Sequence, residues 1–147
     1  MLQSVRSGDY MTDRELINEA LKARENSYCP YSNFAVGASL LTNDGKVYTG
    51  VNIENSSFGA TNCAERTAFF KAISEGERNF KAIAIAGGTK GESPKKPCFP
   101  CGICRQVMAE FCDPYTFTII VAVSEGEYQK YKLTELLPEG FGSENLE

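Results

Sequence analysis

Six cysteines and no histidine limit the chemistry that this 147-residue chain can perform. Four of the cysteines are candidates for one site: Cys63, Cys98, Cys101 and Cys104. The segment Cys63-Ala64-Glu65 opens one predicted helix, and Pro100-Cys101-Gly102-Ile103-Cys104 opens another. A C-x-x-C pair at a helix start lies near backbone N–H groups and the positive end of the helix dipole, which favour metal ligation or redox chemistry. The absence of histidine excludes a Ser-His-Asp triad, a Cys-His dyad and an H-E-x-x-H zinc site.

The cysteine pattern leaves several interpretations open. The cysteines could be buried free thiols, since cysteine is among the most buried residue types. A redox dithiol formed by Cys101 and Cys104 is a second interpretation. It does not explain why Cys63 and Glu65 also lie at the start of a helix. A third is a zinc site with three cysteine ligands, a fourth position for water and a carboxylate nearby. A structural zinc site would instead take Cys98 as its fourth ligand.

The spacing of Cys63 and Glu65 carries a geometric requirement. Positions i and i+2 in a helix interior do not share a face. Both side chains can therefore reach one site only if Cys63 lies at the mouth of the helix with non-helical geometry.

The elements that must position these residues follow from periodicity and turn signals. The pattern predicts helices over 12–27, 63–75 and 102–112, the first opened by a capping box and the second ended by Gly76. It predicts strands over 35–42, 46–53, 80–86, 117–123 and 128–133, with a hairpin turn at 43–46. Residues 1–11 show no periodicity and are expected to be a mobile N-terminal extension, whereas 12–147 are expected to form a single domain.

This order of elements predicts an α/β fold. An opening hairpin followed by strands that alternate with helices predicts a three-layer α/β/α arrangement around a mixed five-stranded sheet. Each later helix begins just after a strand and a loop. Helix N-termini therefore gather at one end of the sheet, where ligands tend to bind.

Composition and charge narrow the class of protein. Hydrophobic residues make up 42% and charged residues 23%, which excludes a disordered or collagenous chain. The net charge of −4 argues against a polynucleotide substrate, because such binders usually carry a basic face. No apolar run is long enough to span a membrane, and the first residues lack the apolar region of a signal peptide. We therefore expect an intracellular, cytoplasmic protein.

Two motifs together resemble a known family. The segments C-A-E-R-T at 63–67 and P-C-G-I-C-R-Q-V at 100–107 resemble the zinc nucleoside and nucleobase deaminases, whose signature includes P-C-x-x-C. With N-I-E-N at 52–55 and F-A-V-G-A at 34–38, the chain is similar to the small homotetrameric cytidine deaminases that have three cysteine zinc ligands. The resemblance runs from about Thr12 through Leu146.

The resemblance implies a reaction and a cofactor. One Zn²⁺ per chain would be held by Cys63, Cys101 and Cys104, and zinc-bound hydroxide would attack the amino-bearing ring carbon of cytosine, with Glu65 as proton shuttle. The implied activity is hydrolytic deamination of cytidine and deoxycytidine in pyrimidine salvage. Cys98 belongs to a second P-C-x-x-C at 97–101, but only the later copy is followed by a helix-forming run. Cys98 is therefore expected to be a bystander.

The resemblance also implies substrate contacts and shared active sites. Asn52 and Glu54 match positions that bind ribose hydroxyls, and Phe34 matches an aromatic residue that packs against the pyrimidine. The backbone of Ala64 matches a contact with the base. The other implied positions are Arg66, which would hydrogen-bond the ligand thiolates, Phe141, which would reach a neighbouring subunit, and Phe58, which stands where the family often has tyrosine. Arg105 could equally be a surface charge.

Two alternatives remain beside this interpretation. A deaminase of blasticidin-type aminoacylated cytosine nucleosides would share the zinc motifs, although N-I-E-N favours cytidine. A non-catalytic structural zinc module would use four cysteine ligands.

Overall fold

A mixed sheet with helices on both faces organises the computed structural model, which describes residues 2–4 and 11–146. Within those residues the strands are β1 (Leu2–Ser4), β2 (Phe34–Thr42), β3 (Lys46–Val51), β4 (Phe80–Thr89), β5 (Thr118–Ser124) and β6 (Glu127–Lys132). The α-helices are α1 (Asp13–Ala23), α2 (Ala64–Ser74), α3 (Gly102–Phe111) and the short α4 (Leu133–Leu136).

The sheet has the order β1-β3-β2-β4-β5-β6, and only its β4–β5 pair is parallel among the described strands. The predicted mixed α/β fold is confirmed, and the five predicted strands are all present. A sixth strand was not predicted: Leu2–Ser4 pair antiparallel with β3, from Leu2 opposite Tyr48 to Ser4 opposite Lys46. Part of the predicted extension therefore forms a strand, and its mobility stays a prediction. Residue 1 and residues 5–10 lie outside the described part of the chain.

Local signals explain where the elements begin and turn. Thr12 Oγ1 accepts a hydrogen bond from the Glu15 amide at 3.1 Å, and Glu15 accepts one from the Thr12 amide at 3.2 Å, which confirms the predicted capping box. Gly45 and Gly76 have φ values of +90° and +97°, which suit glycine in the hairpin turn and after α2.

Two glycines allow the helices to approach the sheet from opposite sides. A Cβ at Gly37 on β2 would lie 2.1 Å from the Ala20 carbonyl oxygen of α1. A Cβ at Gly50 on β3 would lie 2.3 Å from the Ala64 carbonyl oxygen of α2. The apolar side of α1 packs in one buried cluster, whereas α2 and α3 share another on the opposite face. The predicted three-layer arrangement is therefore present.

The sheet topology brings two helix starts together. Because β3 and β4 are each antiparallel to β2, they run in the same direction, and their carboxyl ends lie at the same end of the sheet. Helix α2 follows the end of β3, and helix α3 follows the end of β4. Both helices therefore begin at this end of the sheet, where ligands bind in open α/β folds.

Candidate metal centre and active site

Three cysteines meet at the starts of α2 and α3. Cys63 is the N-cap residue of α2 and Cys101 is the N-cap residue of α3, both with extended backbone, and Cys104 lies in the first turn of α3. This confirms that Cys63 precedes its helix in non-helical geometry. The three sulfurs therefore lie close to the N-terminal N–H groups of two helices, where negative charge is stabilised.

The sulfur atoms have the spacing that zinc requires. Cys63 Sγ lies 3.7 Å from Cys101 Sγ, and Cys101 Sγ lies 3.6 Å from Cys104 Sγ. All three sulfurs lie within 4.8 Å of one another. Tetrahedral zinc with Zn–S bonds of about 2.3 Å requires sulfur separations of about 3.8 Å. This donor set can hold one zinc ion and leaves one coordination position to a further ligand.

Protonation of the thiols follows their mutual hydrogen bonds. Hydrogen bonding with Cys104 and then Arg66 lowers the pKa of Cys63, whereas the same bond with Cys63, together with burial, raises the pKa of Cys104. Negative charge therefore resides on Cys63 first. Zinc binding requires the ligating thiols to lose their protons.

Cys98 lies beside this cluster without joining it. It is absent from the group of three sulfurs, and burial raises the pKa of its thiol to about 12. Its sulfur packs against Gly87, where a Cβ would lie 2.8 Å away. All six cysteines are free thiols. Among the described residues, the candidate metal-ligating group therefore contains three cysteines and not Cys98.

Glu65 is buried next to the sulfurs, with 4% of its surface exposed. Burial raises the pKa of its carboxyl to about 7, and the negative charge of Cys63 acts in the same direction. A carboxyl group in this range can both accept and release a proton near neutral pH. Glu65 is not one of the metal-ligating group.

Arg66 faces the same cluster from one residue further along α2. Its Nη2 donates to Cys63 Sγ at 3.3 Å, and its buried Nε has no hydrogen-bond partner among the described residues. Three thiolates and Zn²⁺ carry a net charge of −1. Because it contacts the Cys63 sulfur, the guanidinium would offset part of that excess negative charge if zinc were bound.

Known proteins share both the sequence and the fold of this chain. Residues 11–120 match the family model described as "Cytidine and deoxycytidylate deaminase zinc-binding region". A cytidine deaminase from Halalkalibacterium halodurans is 52% identical over 135 residues, covering 91% of this chain and 98% of that protein. The chain belongs to the cytidine deaminase family.

Further family members agree in sequence and in three dimensions. A cytidine deaminase from Sporosarcina psychrophila is 49% identical over 136 residues, covering 92% of this chain and 96% of that protein. The crystal structure of cytidine deaminase from Burkholderia pseudomallei has a TM-score of 0.80 and 48% identity, covering 89% of this chain and 100% of that one.

Three of the positions predicted to contact a nucleoside lie at the start of β2 or just after β3: Phe34, Asn52 and Glu54. The Phe34 ring is partly exposed and packs near Gly87. Glu54 is partly buried, and its carboxylate accepts hydrogen bonds from the Tyr31 amide at 2.9 Å, from the Ser32 amide at 3.1 Å and from the Ser32 hydroxyl. The hydrogen bond from the Ser32 hydroxyl, followed by those from the two amides, holds the pKa of Glu54 below its usual value.

The side chain of Asn52 is mostly engaged within the protein and is not fully available to a substrate. Asn52 is 9% exposed. Its Oδ1 accepts from the Val36 amide at 2.9 Å and from the Ser27 hydroxyl, and its Nδ2 donates to the Phe34 carbonyl oxygen at 2.8 Å. Asn52 therefore joins the end of β3 to the backbone on both sides of Ala35. One N–H of its amide group is left for another acceptor.

Phe58 and Phe141 project from the surface, with 80% and 57% of their area exposed. Phe58 lies in a short turn between β3 and α2, and Phe141 follows α4. Neither ring is buried in the described chain.

Arg105 and Gln106 connect the start of α3 to residues 136–141. The sequence analysis did not assign either residue to the site. Arg105 donates from Nε to the Pro100 carbonyl oxygen at 2.8 Å and from Nη1 to the Leu136 carbonyl oxygen at 2.9 Å. Gln106 donates to the Phe141 carbonyl oxygen at 2.9 Å. Their position directly after Cys104 was the available signal, but their acceptors lie up to 35 residues away.

Proposed function

We propose that the chain catalyses zinc-dependent hydrolytic deamination of cytidine and deoxycytidine, giving uridine or deoxyuridine and ammonia, in pyrimidine salvage. The observation that carries this proposal is the buried carboxyl of Glu65 beside three sulfurs spaced for zinc. Family members at about half identity, which are named cytidine deaminases, support the choice of substrate.

Cys63, Cys101 and Cys104 would hold the zinc ion. A zinc ion at this position supplies Lewis acidity that makes water available as a nucleophile at neutral pH. The two helix N-termini and Arg66 offset the negative charge of the thiolates, so the chain does not need a neutral histidine ligand.

Glu65 would move the protons of the reaction. It accepts a proton from the attacking water, donates it to the ring nitrogen next to the amino-bearing carbon, and then assists the departure of ammonia. Its burial keeps bulk water away from these transfers. Because Glu65 is not a metal ligand in this arrangement, its removal should leave zinc in place.

The nucleoside would lie between the ends of β2 and β3 and the start of α2. Phe34 packs against the pyrimidine, and the backbone of Ala64 contacts the base in the first turn of α2, where N–H groups lack helical partners. Glu54 and the remaining N–H of Asn52 bind ribose hydroxyls. The hydrogen bonds around Glu54 fix its carboxylate before the substrate arrives.

We also propose a homotetramer with shared active sites, located in the cytoplasm and acting on free nucleosides. The exposed rings of Phe58 and Phe141 support contact with neighbouring subunits. The net charge of −4 argues against a nucleic acid polymer as partner. No helix among the described residues combines the length and apolar character needed to cross a bilayer, and we propose no membrane partner.

An absorbance assay with cytidine tests the proposal. The purified protein should convert cytidine and deoxycytidine, lose activity when a strong chelator removes zinc, and regain activity on addition of Zn²⁺. Absence of turnover by the zinc-loaded protein would contradict the proposal. Turnover of an aminoacylated cytosine nucleoside without turnover of cytidine would favour the blasticidin-type alternative.

A further inference from the structure

Arg24 is a buried cation whose hydrogen bonds go to backbone carbonyl groups. It follows α1, and 8% of its surface is exposed. Nε donates to the Ala35 carbonyl oxygen at 2.9 Å, Nη1 to that of Glu92 at 3.1 Å and Nη2 to that of Thr89 at 3.3 Å. No carboxylate of the described residues forms an ion pair with Arg24. Arginine is rarely buried without a charged partner, so this arrangement needs an explanation.

Two of the three acceptor residues adjoin Phe34 in the sheet. Ala35 follows Phe34 in β2, and Thr89 is the residue of β4 that pairs directly with Phe34. Thr89 and Glu92 form the two ends of a tight turn, closed by a hydrogen bond of 3.0 Å from the Glu92 amide to the Thr89 carbonyl oxygen. Arg24 therefore ties this turn to the start of β2.

Arg24 acts from the face of the sheet opposite the metal centre. A Cβ at Gly88 would lie 3.3 Å from Arg24 Nη2, and one at Gly37 would lie 2.9 Å from Arg24 Cγ, on the side occupied by α1. At the neighbouring Gly87 a Cβ would instead meet Cys98 Sγ and the Phe34 ring, at 2.8 and 2.9 Å. Arg24 thus cannot touch a nucleoside bound at Phe34 and can influence it only through the backbone.

A second set of hydrogen bonds supports the same turn. The Lys90 amide donates to the Asn33 carbonyl oxygen at 2.9 Å, and Lys90 Nζ donates to the Ser27 carbonyl oxygen at 2.6 Å. Asn33, immediately before Phe34, and Ser27 are therefore bonded to the turn that Arg24 holds. Burial lowers the pKa of Arg24, but a guanidinium remains protonated at neutral pH and keeps its planar set of donors.

We propose that Arg24 is a positioning residue for nucleoside binding, which fixes Phe34 by clamping the start of β2 to the turn at residues 89–92. This inference rests on the proposed deamination of cytidine. Phe34 contacts the substrate before and during the reaction, so its displacement weakens binding of the ground state and the transition state together. Loss of such uniform binding raises KM and leaves kcat largely unchanged.

The test compares Arg24→Lys and Arg24→Met with the parent protein. Lysine keeps the charge but cannot reproduce three donors in a planar fork. We expect KM for cytidine to rise by about 10- to 100-fold, since small misplacements in an active site have effects of this size. Zinc per chain should equal that of the parent, and kcat should change far less than KM. Arg14→Met, at an exposed position on α1, is the matched control and should retain the parent KM.

A second variant and a second measurement keep the outcome decisive. Gly88→Ala would place a Cβ 3.0 Å from Pro94 Cα and 3.3 Å from Arg24 Nη2, so it crowds the segment after the turn and the guanidinium together without removing any charge, and it should raise KM in the same way. Hydrogen exchange should accelerate at the amides of Lys90 and Glu92 in the Arg24 variants, and this readout does not depend on which substrate the protein uses. Parent values of KM in folded, zinc-loaded Arg24 variants would overturn the proposal. A fall in kcat alone, matched by the loss of folded protein, would show a merely structural role and would also overturn it.

Discussion

Glu65 is the residue on which the proposed chemistry depends most directly. It is buried beside the three sulfurs and is not part of the metal-ligating group. Glu65→Gln keeps the shape of the side chain but cannot accept a proton. We expect turnover of cytidine to fall by about 10²–10⁴-fold, the usual contribution of one acid–base group, while zinc per chain is unchanged. Near-normal turnover, or loss of zinc, would refute the assigned role.

We expect Arg66 to act on the metal centre through Cys63. Its Nη2 lies 3.3 Å from that sulfur, where the guanidinium would offset part of the thiolate charge. Because the two helix N-termini share this task, we expect Arg66→Gln to reduce turnover or zinc affinity only partly, by about 10–100-fold. Chelator competition and steady-state kinetics measure both quantities. Turnover and zinc affinity equal to those of the parent protein would show that Arg66 has no such role.

At the scale of elements, close packing of α2 on β3 holds Cys63 and Glu65 at the end of the sheet where α2 and α3 begin. A Cβ at Gly50 would lie 2.3 Å from the Ala64 carbonyl oxygen and 2.5 Å from the Ala68 amide nitrogen, both of which are backbone atoms. Gly50→Ala must therefore displace α2. We expect a loss of about 1–3 kcal/mol in unfolding free energy, as for other overpacked positions, together with weaker zinc retention.

Gly126→Ala provides the control for that experiment. Nothing lies within 4 Å of a Cβ at Gly126, in the turn between β5 and β6. Its stability and zinc content should equal those of the parent protein. Equal behaviour of the two alanine variants would contradict the claim that α2 packs on β3 at its closest permitted distance.

Elements with a local signal could be predicted from the sequence. The capping box at Thr12, the turn at Gly45 and the C-x-x-C at the start of α3 each act within a few residues, so their patterns are visible in the chain. Strand β1 has no such signal, because Leu2–Ser4 are ordered by pairing with a strand more than 40 residues away. The short α4 was likewise not predicted.

The same contrast applies to the candidate site. The three clustered cysteines could be identified from motifs at two helix starts. The hydrogen bonds of Arg24 could not, since one acceptor lies 68 residues away along the chain. The internal bonds of Asn52 also depend on the pairing of β2 with β3, which its N-I-E-N motif does not encode.

At the scale of the whole molecule, Phe141 tests whether active sites are shared. Its ring is exposed in the isolated chain, while its carbonyl oxygen is held by Gln106. Mixing Phe141→Ala with Glu65→Gln protein should regenerate activity, because a hybrid site can take Glu65 from one subunit and Phe141 from another. Activity no greater than the sum of the separate proteins would indicate that Phe141 acts only within its own subunit. A fully active monomer in sedimentation would contradict the oligomer itself.

X-ray absorption at the zinc edge tests the central claim most directly. A catalytic centre formed by Cys63, Cys101 and Cys104 predicts one zinc per chain with three sulfur ligands at about 2.3 Å and one oxygen or nitrogen ligand. Cys98→Ala should leave this spectrum unchanged, whereas Cys104→Ala should abolish zinc binding. Four sulfur ligands in the parent protein, reduced to three in Cys98→Ala, would contradict the account and would assign the chain a structural zinc site.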